Sequence, residues 1–444
     1  MFNDPVMLSR LLTAMTLSFH IIFATIGVGV PIMIALAEWT GIRRKDPHYI
    51  LLARRWARGF VITVAVGVVT GTAIGFLLNL LWPSFMRIAG QAIALPLFME
   101  TFAFFFEAIF LGIYLYTWDR FKKQTTHFLL IIPVVIGSSA SAFFITSVNA
   151  FMNAPRGFKL EGNRIVDIQP LQAMFNPATP TEVSHVLTSS YLTCAFILAA
   201  IAAYSILKKR DHIYYKKALK LTMTAALVFS LATAIVGDLS GKYLAIYQPE
   251  KLAAAEWHFE TSDHAPLVIG GYLTEDNQIK FGLKIPNALS ILAGESPSSV
   301  VKGLNDFPQD ELPPLFVHYL FDGMVAIGIF LCLISILFWI NGIRRKGNPY
   351  HRFMLLAIVC CGPLAMLAIE LGWMYAEIGR QPWILRGYMK TSEGATTSEY
   401  VGLMLILFGL LYLVLAYTTI QVLRKLFHQH PAEEELALLE KKGM

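Results

Sequence analysis

The sequence predicts an all-α integral membrane protein of about nine transmembrane helices, with its N-terminus outside and its C-terminus in the cytoplasm. Three observations predict it. Of 444 residues, 56% are hydrophobic and only 15% are charged, where soluble domains carry about 25% charged residues. The apolar residues gather into nine runs, near 11–39, 59–82, 92–117, 128–152, 183–207, 218–246, 314–341, 353–376 and 400–423. A bilayer core takes roughly 20 apolar residues of helix, and each run supplies them. Finally, Lys and Arg concentrate in alternate connections, the pattern of cytoplasmic loops.

The first run follows a short polar start that lacks a cationic region and a small-residue cleavage site, so it reads as a permanent helix. The basic connections hold Arg43, Arg44, Lys45, Arg54, Arg55 and Arg58, then Arg120, Lys122 and Lys123. Lys208, Lys209, Arg210, Lys216, Lys217 and Lys220 follow, and last come Arg344, Arg345, Lys346 and Arg352. The net charge of +6 is therefore a topology signal and not a nucleic-acid footprint. Gly67, Gly71 and Gly75 on the second span form a small-xxx-small face suited to close helix packing. Cys194, Cys332, Cys360 and Cys361 all fall within spans, with no CxxC or CxxCH, so they read as buried apolar thiols.

The chain 1–444 thus reads as a single polytopic membrane domain. Its long connection, 247–313 between the sixth and seventh spans, is hydrophilic and falls on the outer face. A loop of that length is usually functional or disordered. The tail "HPAEEELALLEKKGM" is expected to be a frayed cytoplasmic helix.

Ionisable residues at membrane depth are costly and usually functional. Here they are His20, Glu100, Glu107, His185, Asp238, Asp322, Glu370 and Glu377; His318, at the mouth of the seventh span, reads as structural. By the inferred topology, His20, His185, Met324, Glu100 and Glu377 share one outer-half layer on five helices. Imidazole, thioether and carboxylate are all possible donors to haem iron. The plainer alternatives are a helix–helix hydrogen bond for each histidine and ordinary packing for the methionine. Glu100 and Glu107 are seven apart, about 10.5 Å of rise on one face. Such a stack reads as a proton relay, or else as a pair of neutral helix contacts. Asp119 stands where that helix meets the cytoplasm, placed to collect protons or simply to neighbour Arg120.

Three classes compete: a haem-bearing redox enzyme, a proton-coupled transporter using the intramembrane carboxylates, and a structural subunit. A transporter would typically show broken helices in two related halves, which this sequence lacks. An adjacent His–His pair, as in a copper-containing haem oxidase, is absent, as are the paired helical histidines of a bis-histidine cytochrome b.

The pattern that remains resembles subunit I of the cytochrome bd-type quinol oxidases, of the short quinol-loop type, over essentially the whole chain. The resemblance rests on "SRLLTAMTLSFH" (9–20), "AFFFEAIF" (103–110) with "WDRF" (118–121), "KLAAAEW" (251–257) and above all "EIGRQPW" (377–383). It implies a subunit of the bacterial cell membrane that carries two b-type haems, one low-spin and one high-spin, and one haem d. Such an enzyme takes electrons from quinol and reduces dioxygen to water. By the same resemblance, His185 and Met324 are the axial pair of the low-spin haem. His20 and Glu377 serve the two high-spin haems in an order left open, and Glu100 lies close to one iron. Arg380 meets a haem propionate, Trp373 stands between haems, and Lys251 and Glu256 form the quinol pair of the 247–313 loop. A second multi-span subunit and a small single-helix one are the implied partners. Asp322 departs from members that carry Arg there. In "EIGRQPW", Pro382 is expected to stop the eighth helix, since proline lacks the backbone donor. With the loop outside, quinol releases protons outward while Glu107 supplies protons from the cytoplasm.

Overall fold

The computed structural model describes residues 4–162, 164–208, 212–344 and 347–441. Lys209, Arg210, Arg345 and Lys346 of the basic connections lie outside the described residues, as do the last three residues of the tail. Among the described residues, nine helical segments are long and apolar enough to cross a membrane. They comprise α1 (Pro5–Arg44), α2 (Pro47–Leu81), α3 (Pro83–Tyr116), α4 and α5 together (Gln124–Phe128 and Ile131–Asn153), α7 (Thr179–Leu207), α8 (Ile213–Tyr247), α11 (Val317–Ile343), α12 (Arg352–Ile378) and α14 (Val401–Gln429). The short helices are α6 (Pro170–Met174), α9 (Pro249–Ala255), α10 (Ala288–Gly294), α13 (Thr391–Gly394) and the tail helix α15 (Ala432–Lys441). Each long helix overruns its apolar run into the polar margins.

Local chemistry sets several of the starts. Asp4 and Asp46 accept the backbone N–H groups of Val6 and His48, each at 3.0 Å. A proline follows each aspartate, with its φ preset and no N–H to satisfy. Lys45 closes α1 in the left-handed region, φ 51°, donating its backbone N–H to Gly41 and Ile42. This tight corner turns α1 directly into α2.

The helices alternate between two ends. The loop end carries the connection from Gln248 to Phe316; the basic end carries the Lys- and Arg-rich connections. α7 is the central helix, with 56% of its apolar stretch buried, whereas α14 is peripheral, with 11%. Around α7 stand α1, α5, α8 and α12, and α11 closes a four-helix group with α7, α8 and α12. α3 packs chiefly on α5.

The 248–316 connection is folded onto the bundle. It contains α9, two small antiparallel pairs, β3 (Leu267–Ile269) with β6 (Leu283–Ile285) and β4 (Tyr272–Leu273) with β5 (Ile279–Lys280), and then α10. Ala253, Ala254, Ala255, Ala265, Leu289 and Leu304 of the loop share a core with Tyr243, Val317 and Tyr375 of the helices. The same end carries the hairpin β1 (Lys159–Glu161) with β2 (Arg164–Val166), and β7 (Trp383–Leu385) paired with β8 (Met389–Lys390).

Two expectations need correction here. The tail helix is docked, not frayed: Ala432 and Leu436 are buried, and Glu435 is clamped by Arg58 and Arg55 of α2 at 2.7 and 3.1 Å. Apolar and ionic contacts together hold a segment whose charge alone suggested solvent. The glycine face of α2 is not a uniform packing stripe either. A side chain at Gly71 would meet the His20 ring at 3.2 Å, whereas one at Gly75 would meet nothing within 4 Å.

Candidate functional site

Most of the singled-out side chains line the helices around α7. His20 of α1 faces α2, where its Nδ1 lies 2.8 Å from the Thr70 hydroxyl. That hydroxyl already donates its own proton to the Val66 carbonyl at 2.9 Å, so it accepts from Nδ1–H. The accounting fixes the tautomer and leaves the Nε2 lone pair free, as an iron-binding histidine requires. His185 of α7 has a buried Nδ1 with no partner, and it borders Gly237 of α8. Met324 of α11 presents its sulfur to Gly372 of α12; a Cβ there would stand 2.9 Å away. His185 and Met324 thus belong to the same four-helix group. Among the described residues, no three His, Cys, Asp or Glu side chains converge to hold a bare metal ion.

The second cluster forms where α12 ends. Glu377 lies in the last turn of α12, which stops at Ile378 with Gly379 as its cap. The helix therefore ends ahead of the expected stop at Pro382, and Arg380 stands just past it. The Arg380 guanidinium donates to Glu377 at 2.6 Å and is itself 3% exposed in its side chain. Asn149 of α5 donates to the other carboxylate oxygen. The cation expected to meet a propionate is thus engaged by the neighbouring carboxylate, yet its buried Nε has no partner and remains able to donate. A buried guanidinium held on a partly exposed carboxylate fits the rule that intramembrane charges are paired. Trp373 is partly buried, one turn before Glu377 on the same face.

Lys251 of α9 reaches this cluster. Its ammonium donates to the Ala376 carbonyl at 3.1 Å and sits 4.9 Å from the centre of the Tyr375 ring. Burial pulls its pKa down to about 8, opposed by the charge of Glu182. Glu182, which accepts from Asn153 at 2.9 Å, completes a cluster of Glu182, Lys251, Glu377 and Arg380 that sequence reasoning missed. It stands in the first turn of α7 ahead of the apolar run, where an acid looks interfacial.

Glu256 goes elsewhere. α9 ends at Ala255 and Trp257 takes a left-handed φ of 46°, so the chain turns between the two loop residues. Glu256 is fully buried and accepts the Val268 N–H at 3.1 Å. Burial pushes its pKa up to about 8, and the neighbouring Asp322 adds to this. Asp322 in turn accepts from the Gly270 N–H and pairs with His318 at 3.2 Å. His318 is stacked on Trp257 at 3.8 Å between ring centres and bonds the Ala255 carbonyl at 2.6 Å. It therefore staples the loop to α11, in line with its structural reading. The Tyr375 hydroxyl and one Glu256 oxygen are buried without partners.

Glu100 and Glu107 line the α3–α5 seam. Glu100 accepts from Ser141 at 2.9 Å. Glu107 is 5% exposed and packs on Gly137, where a Cβ would meet its backbone N at 2.9 Å. The phenylalanines before it do not bury it, since Phe105 and Phe106 are 59% and 43% exposed on the outside of the bundle; α5 does.

Toward the basic end, two turns beyond Glu107, lies a network the sequence did not announce. Tyr114 donates to Glu38 at 2.7 Å, His127 Nδ1 meets the other Glu38 oxygen at 2.7 Å, and His127 Nε2 donates to the Tyr114 carbonyl at 2.9 Å. All three residues are buried. Both ring nitrogens of His127 are thus engaged, one by the Glu38 carboxylate and one by the backbone. Asp119 lies nearby on the surface, 56% exposed in its side chain and paired with Arg54 at 2.8 Å.

With this arrangement in view, the sequence profile of cytochrome bd terminal oxidase subunit I matches residues 8–431. The chain belongs to the cytochrome bd terminal oxidase subunit I family. It is 65% identical in sequence to a solved bd oxidase chain from Geobacillus thermodenitrificans, covering 97% of this chain and 99% of that one with a TM-score of 0.94. It is 42% identical to the cytochrome bd menaquinol oxidase subunit I of Bacillus subtilis (strain 168), over 98% of this chain and 99% of the relative. It is 32% identical to the cytochrome bd ubiquinol oxidase subunit 1 of the same strain, over 93% and 91%. The bd family is one of haem-bearing, multi-subunit membrane oxidases, so the transporter reading finds no support.

Proposed function

We propose that this chain is the haem-bearing subunit of a respiratory quinol:oxygen oxidoreductase of the bacterial cell membrane, with the loop end outside and the basic end in the cytoplasm. The observation that carries the reading is the reach of Lys251, a loop residue, to the Ala376 carbonyl beside the Glu377–Arg380 pair. It joins the segment that handles quinol to the carboxylate offered to iron. The donors fit two b-type haems and one haem d: His185 with Met324 for the low-spin haem, His20 and Glu377 for the high-spin pair, and Glu100 beside one of them. The free Nε2 of His20 and the unpartnered Nδ1 of His185 support this. Bound haem supplies the one-electron chemistry that links quinol to dioxygen. Arg380 neutralises Glu377 and keeps one N–H for a further acceptor, while Trp373 walls the same face. A second multi-span subunit and a small single-helix subunit complete the assembly.

The chain's own groups then handle protons at opposite ends. Glu256, as carboxylate, takes a proton from quinol and passes it outward, while Lys251 orients the head group. From the basic end, Asp119, the Glu38–His127 pair, Glu107 and Glu100 mark a route inward along α3. Electrons and protons meeting from opposite sides separate charge across the membrane.

Lys251→Ala and Glu256→Ala are expected to raise the apparent KM for quinol or lower turnover, for Glu256→Ala by about 100-fold as for a positioned base, with haem spectra unchanged. The pH profile carries a sign. Glu256 is a base only above about 8, so its contribution to quinol oxidation rises with pH through that value. Steady-state quinol oxidation by Glu256→Gln should lose that alkaline rise. Normal kinetics in all three variants, on intact complex, would remove Lys251 and Glu256 from the quinol reaction.

A further inference from the structure

α12 carries a second intramembrane acid that the chemistry above leaves unused. Glu370 precedes Trp373 by three residues and Glu377 by seven, so the three lie along one stripe of the helix. Both Glu370 carboxylate oxygens are buried without a hydrogen-bond partner. Its polar neighbour is the Ser18 side chain of α1, two residues before His20. Among the described residues of α1, α7 and α11, the helices packed on α12, no charged group acts on it. An unpaired carboxylate at this depth is among the most costly groups a membrane helix can hold. The packing alone would be served better by leucine.

Among the described residues nothing neutralises Glu370, so its charge is balanced either by a proton or by the positive charge of an oxidised group bound on this face. An electron added to that group removes the second option. We propose that Glu370 is a proton-holding residue of the oxygen-reducing site, taking up a proton on one Oε when the neighbouring cofactor is reduced. The inference rests on the haem reading above. The step is balanced: an O–H bond forms at Glu370 as one breaks in a solvent hydronium, leaving water, and the compensating electron comes from quinol. Glu370 thus acts as a second acid of the site, on α12, separate from the α3 pair.

Redox-induced infrared difference spectra of the purified complex test this, together with the pH dependence of the haem reduction potentials. Wild type should show a carboxylic acid C=O change on reduction that disappears in Glu370→Gln and returns, shifted, in Glu370→Asp. The pH slope of one haem potential should flatten in Glu370→Gln alone. Ser18→Ala should shift the same band in a protein whose acid is intact, which keeps the idea testable if Glu370→Gln assembles poorly. Identical bands and slopes in wild type, Glu370→Gln and Ser18→Ala, with full haem content, would overturn the proposal while leaving the haem reading standing. Samples without haem bands would overturn that reading instead.

Discussion

Glu107→Gln should assemble, keep its haems and lose most oxygen-reducing turnover, by about 100-fold, the lower end of what a positioned proton carrier contributes. The substitution is conservative where it matters for folding. Gln keeps the shape and the hydrogen-bonding capacity in a site walled by Gly137 of α5, so the α3–α5 seam should survive. What it removes is the proton. Glu107 stands between Glu100, nearer the loop end, and the Glu38–His127–Tyr114 network nearer the basic end, so its loss interrupts the proposed route. If Glu107 only held two helices together, Gln would be nearly silent. Oxygen consumption with quinol, followed from neutral to alkaline pH, decides between the two. Near-normal turnover across that range would move the route to other groups.

His185→Ala or Met324→Leu should each abolish the low-spin b-type signal, and quinol oxidation should fall with it. Each variant removes one axial donor from the α7–α8–α11–α12 group. Leu keeps nearly the volume of Met, so packing against Gly372 should cost less than about 1.5 kcal/mol. The complex should therefore be recovered in good yield with its remaining haem bands. An unchanged low-spin spectrum in both variants would remove the pair from the haem and return His185 to the role of a buried helix contact.

The architecture was legible because the membrane makes it so. Every backbone group in hydrocarbon must be satisfied within its own helix, so nine apolar runs become nine helices, and only their polar overhangs had to be learned from the structure. Residues named from motifs at helix ends, such as Glu377 and Arg380, also fall together. The partner of Arg380 did not follow from the motif: spacing of three residues allows a pair with Glu377, but only the end of α12 at Ile378 aims the guanidinium back at it. The separation of Lys251 from Glu256 depends on a left-handed Trp257, which a run of alanines gives no reason to expect. Glu38, His127 and Glu182 were passed over for a common reason. Each sits at the edge of an apolar run, where an ionisable side chain is ordinary, and only the contacts of Glu38 with Tyr114 and His127, or of Glu182 with Asn153, single it out. The tail misled in the same way, its charge suggesting solvent while Arg55 and Arg58 of α2 supplied its partners.

The central claim is that this chain holds haem on the single donors His20, His185, Met324 and Glu377. A reduced-minus-oxidised absorption spectrum of the purified wild-type complex tests it most directly. The account predicts b-type bands accompanied by a red band from a chlorin-type haem; an intact complex with no haem bands at all would contradict it.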